Sequence, residues 1–469
     1  MKEESYKLLK EIVKIVNEEK HRVDEAENLI NELFSFHDIS GFEAEVFANL
    51  GIIHMIKSRY GQAIHYFKVA LELTDNQELR ATCLNDIGIC DRKKSFNVDN
   101  DRIRNNAKLA FKKAHESDGN VDSLINLGCM SVASNETDEA IQVLTKALEI
   151  EPDHPNAYWN RSLVYLEKYD FKNGWAEYEH GKRTDDRHKR TYGDLPEWDG
   201  TNNSKIIIYG EQGIGDEIMW ASIIPDIAKD NDIILDAHPR LQDLFRESFP
   251  QIKVYGTRKE KQCYWPKYHG AQYHLAIGSL CKFYRNELSD FPRTPYLKAN
   301  PEISQKYKEK LDSLSNRKKI GISWRGGTTD TGELFRRIDL EKWVDLFKED
   351  FDFISLQYKE DAEKDLQEFN DKYPEFKIHH WRDVIDDYDE TAGLIDNLDL
   401  IISVPQSIVH LAGAMGVKTL QLTPYRHMWQ MGKFGEDMPW YDSVKNIWQQ
   451  EHGKWDDVMK EAKERLCSL

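Results

Sequence analysis

The 469-residue sequence predicts a multidomain chain, an all-α repeat region followed by two α/β halves. Three observations predict it. Small and large residues recur with a 34-residue period between 44 and 182. A charged, turn-rich stretch follows at 183–204. From 205 onward, short apolar runs alternate with helical periodicity in two rounds, 205–312 and 313–469. Residues 1–43 precede the repeats as further helices. At roughly 150 residues per domain, the length accommodates about three domains.

Lys and Arg number 64 against 82 Asp and Glu, a net charge of −18. This argues against a general nucleic-acid binder, because phosphate affinity needs surplus cations, and leaves room only for a local basic patch. Hydrophobic residues make up 40%, with 12 Trp, 21 Tyr and 19 Phe, enough to build cores and to exclude wholesale disorder. No run approaches the roughly 18 apolar residues of a membrane-spanning helix. The start, Met-Lys-Glu-Glu-Ser-Tyr, lacks an apolar signal segment. The expectation is a soluble, cytoplasmic protein with no membrane span. The six cysteines form no Cys-x-x-Cys pair, so they read as thiols in a reducing compartment.

The repeats are justified position by position. With Val121 as position 1, Leu124, Leu127, Gly128, Ala140, Leu144, Ala147 and Pro152 fall at 4, 7, 8, 20, 24, 27 and 32. Those are the packing positions of a tetratricopeptide (TPR) repeat, a helix–turn–helix unit. Small residues at 8 and 20 let the helices approach, and large ones at 4, 7 and 24 fill the space between them. From Ala44 the same ruler gives Phe47, Leu50, Gly51, Ala63, Phe67 and Ala70. From Ala81 it gives Leu84, Ile87 and Gly88, then Ala107, Phe111 and Ala114 after a charged insertion at Lys93 to Arg104 that reads as a loop. A fourth, atypical unit from Pro155 carries Tyr158, Tyr165, Gly174 and Tyr178, as expected of a capping repeat. Before Ala44, Tyr6, Leu9, Ile12, Val13 and Val16 form an amphipathic stripe. Such units stack into a superhelix whose concave face either receives a partner or only scaffolds the next domain.

Lys182 to Arg190, with the turn-rich Leu195 to Gly200, reads as a solvated linker, phosphate binding being the other option. Strands are then expected at 205–209, 232–236 and 252–255, with helices at 217–229 and 239–248. The second round places strands at 319–324, 351–357, 400–404 and 418–422, and helices at 339–347, 391–398 and 407–415. A last helix, 455–466, packs back across. This βαβ pattern implies two Rossmann-like halves with a cleft between them.

Three constellations stand at strand ends. In Gly210-Glu-Gln-Gly213-Ile-Gly215-Asp216, the glycines permit a tight turn and close ligand approach. Asp216 stands where a P-loop has Lys, which argues against an ATPase or kinase. It either caps its helix or accepts a proton from an attacking hydroxyl. In Val404-Pro405-Gln406-Ser407-Ile408-Val409-His410, a helix opens at a strand end, a natural pyrophosphate site. His410 either packs or binds ligand. In Ser323-Trp324-Arg325-Gly326-Gly327-Thr328-Thr329, with Arg336 and Arg337 nearby, the arginines suit phosphate or lie on the surface. No metal-ligand spacing stands out, so no metal is expected.

Gly-Glu-Gln-Gly-Ile-Gly-Asp-Glu-Ile (210–218), Gly-Ile-Ser-Trp-Arg-Gly (321–326), Ser-Leu-Gln-Tyr (355–358), Leu-Asp-Leu-Ile-Ile-Ser-Val (398–404) and Val-His-Leu-Ala-Gly-Ala-Met-Gly (409–416) carry a family resemblance. With Gly174-Trp175, Tyr178-Glu179 and Trp198-Asp199-Gly200, they resemble bacterial TPR proteins with a C-terminal glycosyltransferase domain. That domain is similar to ADP-heptose:lipopolysaccharide heptosyltransferases, and the resemblance runs from about residue 44. It implies a GT-B fold, an acceptor-side domain at 205–312 and a nucleotide-sugar-binding domain at 313–469. It implies that Asp216 is the base, and that Gln406, Ser407, Ile408 and His410 hold the donor diphosphate. Arg325, Arg336 and Arg337 would contact the donor, and Gly213, Gly215, Gly326 and Gly327 would shape the loops. The implied activity needs no cofactor. A sugar moves from a nucleotide-diphosphate sugar to a hydroxyl of a glycan, a lipid-linked saccharide or a protein, with the TPR concave face available to the acceptor. Relatives often read Ser-Val-Asp-Thr-Ser where this chain has Ser-Val-Pro405-Gln406-Ser407. On that departure rests the alternative, a non-catalytic TPR adaptor with a degenerate GT-B domain.

Overall fold

The computed structural model describes residues 2–97, 100–184, 186–261, 263, 265–327, 332–358, 361–385, 387–432 and 435–469. The chain divides into two compact units between Arg161 and Ser162.

The first unit is helical: α1 (Lys2–Glu18), α2 (Val23–Phe36), α3 (Glu43–Ile56), α4 (Tyr60–Leu73), α5 (Gln77–Asn97), α6 (Asp101–Asp118), α7 (Val121–Ala133) and α8 (Thr137–Ile150). The division falls inside α9 (Pro155–Glu167). In each antiparallel pair the position-8 glycine receives the position-24 side chain. A Cβ on Gly51 would lie 2.6 Å from the Phe67 ring, on Gly88 2.5 Å from Phe111, and on Gly128 2.7 Å from Leu144. Phe67 is fully buried, so Phe67→Ala is expected to cost about 3–5 kcal/mol, read as a lower denaturant midpoint.

Two readings of this region need correction. The stripe of α1 is Leu9, Ile12, Ile15 and Val16, whereas Tyr6 and Val13 are exposed. The described part of the 93–104 insertion is largely helical, because α5 runs on to Asn97 and α6 starts at Asp101. Its charges have local partners. Asn100 caps α6 through the Arg102 N–H at 2.9 Å, and Asp101 pairs with the buried Arg104. A charged run with such partners stays helical where hydropathy alone reads a loop.

The second unit holds two sheets. In the first, β1 (Lys205–Tyr209), β2 (Asp232–Asp236), β3 (Lys253–Tyr255) and β4 (Tyr273–Ala276) lie in the order β3-β2-β1-β4, all parallel. With them come α10 (Phe171–Tyr178), α11 (Ile214–Trp220), α12 (Ile224–Ile227), α13 (Gln242–Ser248) and α14 (Cys281–Tyr284). The second sheet contains β5 (Lys319–Ser323), β6 (Asp352–Ser355), β7 (Ile378–His379), β8 (Leu400–Ser403), β9 (Thr419–Thr423), β10 (Asp437–Met438) and β11 (Tyr441–Trp448). Its order is β10-β11-β9-β8-β5-β6-β7, parallel except for the β10–β11 pair. Around it lie α15 (Pro301–Asp312), α16 (Val344–Phe347), α17 (Asp361–Lys372), α18 (Arg382–Ile385), α19 (Tyr388–Ile395), α20 (Ser407–Met415) and α21 (Asp456–Cys467). The fold class is thus TPR-like helices followed by two parallel α/β sheets.

Several elements differ from expectation. The helix read at 217–229 is two short α-helices, α11 and α12, joined by a 3-10 turn at Ala221–Ile223. β4 and β11 have too few apolar residues for a buried-strand pattern. The last helix, α21, does not cross over. Val458, Met459, Ala462 and Leu466 bury against Trp343 and Leu346 in the second sheet's own core.

The stretch after 182 is no solvated linker. Arg187 is fully buried, and its Nε and Nη2 donate to Glu211 Oε2 and Oε1 at 2.9 and 2.5 Å. Arg190 lies 2.8 Å from the buried Asp236. Trp198 is buried, and its N–H donates to the His274 carbonyl at 3.0 Å, so this segment flanks β4. Carboxylates from the turn after β1 and from β2 thus draw the basic cluster inward. Helix α10 also belongs here: Trp175 Nε1 donates to the Arg285 carbonyl at 2.8 Å.

Candidate functional site

β1 ends at Tyr209 and its chain turns into α11 through Gly210 to Gly213. The two glutamates of this motif are structural. Glu211 accepts from Arg187 and from the Gly278 N–H at 3.2 Å. Glu217 is buried, accepts from the His238 N–H at 2.7 Å and lies 2.8 Å from Arg258 Nε. Burial pushes its carboxyl up to about 7, against the pull of Arg258.

Asp216 does two things at once. Its Oδ2 accepts the Gly213 N–H at 3.1 Å, closing the first turn of α11. Its Oδ1 accepts Gln430 Nε2 at 2.8 Å. The residue is half-buried beside an exposed Gly213. Loss of hydration holds its carboxyl above the usual aspartate value, while the Gln430 and Gly213 hydrogen bonds oppose that rise.

β8 leads through Val404, Pro405 and Gln406 into α20. Gln406 is the N-cap residue but its side chain makes no capping bond. It turns inward to the Ser323 hydroxyl and, at 3.3 Å, to Ser403 Oγ. The first turn of α20 therefore lacks a side-chain cap, which leaves its amides suited to an anion. Ser407 is half-buried, and its Oγ accepts the Tyr388 hydroxyl at 2.6 Å. Ile408 is buried. His410 is buried with Nδ1 3.2 Å from Tyr441 Oη, and desolvation pushes it down to about 4, so its ring is neutral at pH 7.

The two helices meet at their first turns. A Cβ on Gly215 would lie 3.0 Å from the His410 ring and 3.3 Å from Ser407 Cα, so a larger residue would have to push these neighbours aside. Gly215, next to Asp216, thereby packs on the start of α20, at the carboxyl ends of β1 and β8. Two arginines flank it. Arg336 is buried, and its Nη1 donates to the Pro405 carbonyl at 3.4 Å. Burial lowers its pKa, while Tyr358 and Asp216 favour its charge. The Arg240 guanidinium lies 4.8 Å over the Tyr388 ring. Gly326 fits tightly here too, since a Cβ would lie 2.3 Å from the Pro405 carbonyl oxygen. Gly327 adopts a left-handed φ of 79°.

The structure thus brings Asp216, Gly213, Gly215, Gly326, Arg336, Ser407, Ile408 and His410 together. It does not bring Arg325 or Arg337. Arg325 Nη2 lies 3.0 Å from Asp365, which also accepts Trp324 Nε1 at 2.8 Å. Arg337 Nε donates to Asp339 at 2.9 Å and lines a separate groove with Trp324 and Asp365. Arg336 ends the 3-10 turn Glu333–Arg336 and Arg337 is the extended residue after it; Arg336 reaches Pro405, whereas Arg337 reaches Asp339. Thr328 and Thr329 lie outside the described residues. Gln430, Tyr388 and Arg240 were not legible as site residues, because each comes from a segment with no motif. Among the described residues, no group of three or more His, Cys, Asp or Glu could hold a metal ion.

A TPR repeat family model matches residues 130–168. Protein FlbA of Caulobacter vibrioides is 26% identical over 326 residues, 64% of this chain and 53% of that one. The chain therefore spans about half the length of this curated relative. Among solved structures, the chain is similar to the ADP-heptose lps heptosyltransferase II of E. coli, with 15% identity, 56% and 98% of the two chains covered and a TM-score of 0.41. It is also similar to a glycosyl transferase family 9 structure from Veillonella parvula DSM 2008, with 11% identity, 58% and 97% covered and a TM-score of 0.42.

Proposed function

We propose that the second unit is a glycosyltransferase that takes its sugar from a nucleotide-diphosphate sugar. One observation carries the reading: a carboxylate of raised pKa and a helix start without a side-chain cap meet at the carboxyl ends of two parallel sheets, beside the buried Arg336. In this reading, Asp216 takes the proton of an acceptor hydroxyl. The hydroxyl oxygen bonds to the anomeric carbon as the bond to the diphosphate breaks, and the electron pair leaves on the diphosphate oxygen. The first-turn amides of α20 and Arg336 stabilise that charge. Ser407, fixed by Tyr388, lines the diphosphate. His410 stays neutral and positions α20 against Tyr441 rather than supplying charge. The acceptor class is a glycan, lipid-linked saccharide or protein.

Calorimetric titration with ADP, GDP and UDP tests the reading. One of them is expected to bind, and Arg336→Met to weaken it by about tenfold or more, one charge-assisted hydrogen bond's worth. Because the leaving charge is met by protein groups, transfer is expected to persist in EDTA. If no nucleotide binds, the chain is the adaptor that the Pro405-Gln406 departure favours.

A further inference from the structure

Helix α10, the second helix of the fourth repeat, is built into the second unit, and its buried face is aromatic: Phe171, Trp175 and Tyr178, with Gly174 between them. That face grips both sheets' surroundings. On the side of the first sheet, Trp175 Nε1 donates to the Arg285 carbonyl at 2.8 Å, and Tyr178 meets the Trp220 ring of α11 edge-on at 6.2 Å. Just past the helix, Glu179 accepts Ser279 Oγ at 2.6 Å and Lys282 Nζ at 2.8 Å. On the side of the second sheet, Trp175 lies edge-on to Trp429 at 5.5 Å and to Trp440 at 6.5 Å, and Tyr178 to Trp429 at 6.3 Å, the attractive arrangement of aromatic rings.

Trp429 opens the 3-10 turn Trp429–Met431. The middle residue, Gln430, is buried and donates Nε2 to Asp216 at 2.8 Å. At the far end, Met431 Sδ accepts Gln421 Nε2 of β9 at 2.8 Å. The partner of Asp216 thus sits at the centre of a three-residue turn held between α10 and β9. Hydrogen bonds within such a turn are poorly aligned, so its place is set by what packs on its ends. We propose that Trp175 and Tyr178 are positioning residues for the base: by holding Trp429 they keep Gln430 on Asp216, which makes the last repeat helix a working part of the transferase site. This deepens the transferase reading and rests on it.

Carboxyl-13C aspartate NMR on the full chain, with Asp216→Asn identifying the resonance, tests this without substrate. In Trp175→Ala the turn loses its hold and water reaches the carboxyl. Burial is the largest influence on Asp216 and raises it, outweighing the Gln430 donor, so the Asp216 midpoint is expected to fall toward the ordinary aspartate value. Gln430→Met keeps the turn and removes only the donor, so it should move the midpoint the other way. Trp175→Phe keeps a ring edge against Trp429 and should restore most of the wild-type midpoint. Glu211, Arg336, Tyr178 and Tyr441 also interact with this carboxyl, and a change at 175 alters none of them. In transfer assays, Trp175→Ala should lose on the order of 100-fold in kcat, as a base misplaced by about 1 Å does, with nucleoside diphosphate affinity unchanged. If that variant does not fold, Trp429→Ala, at a half-buried ring, carries the same expectations. An Asp216 midpoint unmoved or raised in the folded alanine variant, unchanged kcat, or a phenylalanine variant shifted as far as the alanine one would each overturn the proposal. Nucleotide titration stays a separate arm: absence of binding removes the transferase reading, whereas the midpoint decides whether α10 positions Asp216.

Discussion

Asp216→Asn is expected to reduce sugar transfer by about 10²–10⁴-fold, the usual contribution of a positioned general base. Nucleoside diphosphate affinity should change little, because the asparagine keeps the shape and can still accept the Gly213 N–H. The proton acceptor is lost while the diphosphate groups on α20 remain. The wild-type pH profile carries a second signature. The base works only when ionised, so the rate falls as pH drops through the Asp216 pKa. Burial raises that pKa, so the acidic limb lies above the ordinary aspartate value of 3.8. Initial rates from pH 4 to 9, with calorimetry on the variant, check both expectations. Unchanged turnover in Asp216→Asn defeats the assignment.

Arg187→Met is expected to destabilise the second unit by about 3–5 kcal/mol. Both side chains of the Arg187–Glu211 pair are wholly buried. Removing the cation leaves the Glu211 carboxylate buried without its countercharge, with the Gly278 N–H still donating to it. Arg187 also donates to Ser279 Oγ at 2.9 Å and pairs with Glu179 at 3.0 Å, so the substitution loosens α10 and β4 as well as the loop ahead of Asp216. Urea unfolding followed by tryptophan fluorescence measures the loss. The double variant Arg187→Met/Glu211→Leu should recover part of it, since no charge is then left buried.

These two expectations draw on different kinds of legibility. Asp216 and the start of α20 stand in short motifs at strand ends, and periodicity alone locates a strand end. The glycine at repeat position 8 and its ring at position 24 are likewise visible as spacing, and Gly51 against Phe67 is that spacing in contact. Arg187 reads as solvated from its charged neighbours, because its partner Glu211 is 24 residues away. Arg336 and Arg337 are indistinguishable in sequence, and the end of the 3-10 turn between them decides which one reaches Pro405. Gln406 occupies a ligand-like position but turns to Ser323, since β5 and β8 are adjacent strands. Gln430 lies 214 residues from Asp216, and no local pattern encodes that contact.

The central claim is that a sugar nucleotide's diphosphate rests on the first turn of α20 beside Arg336, with its sugar toward Asp216. A crystal of the full chain soaked with UDP-, GDP- and ADP-sugars tests it most directly. The account predicts diphosphate oxygens within hydrogen-bond distance of the Ser407 or Ile408 amide and of Arg336. A diphosphate seated elsewhere on the chain would contradict it.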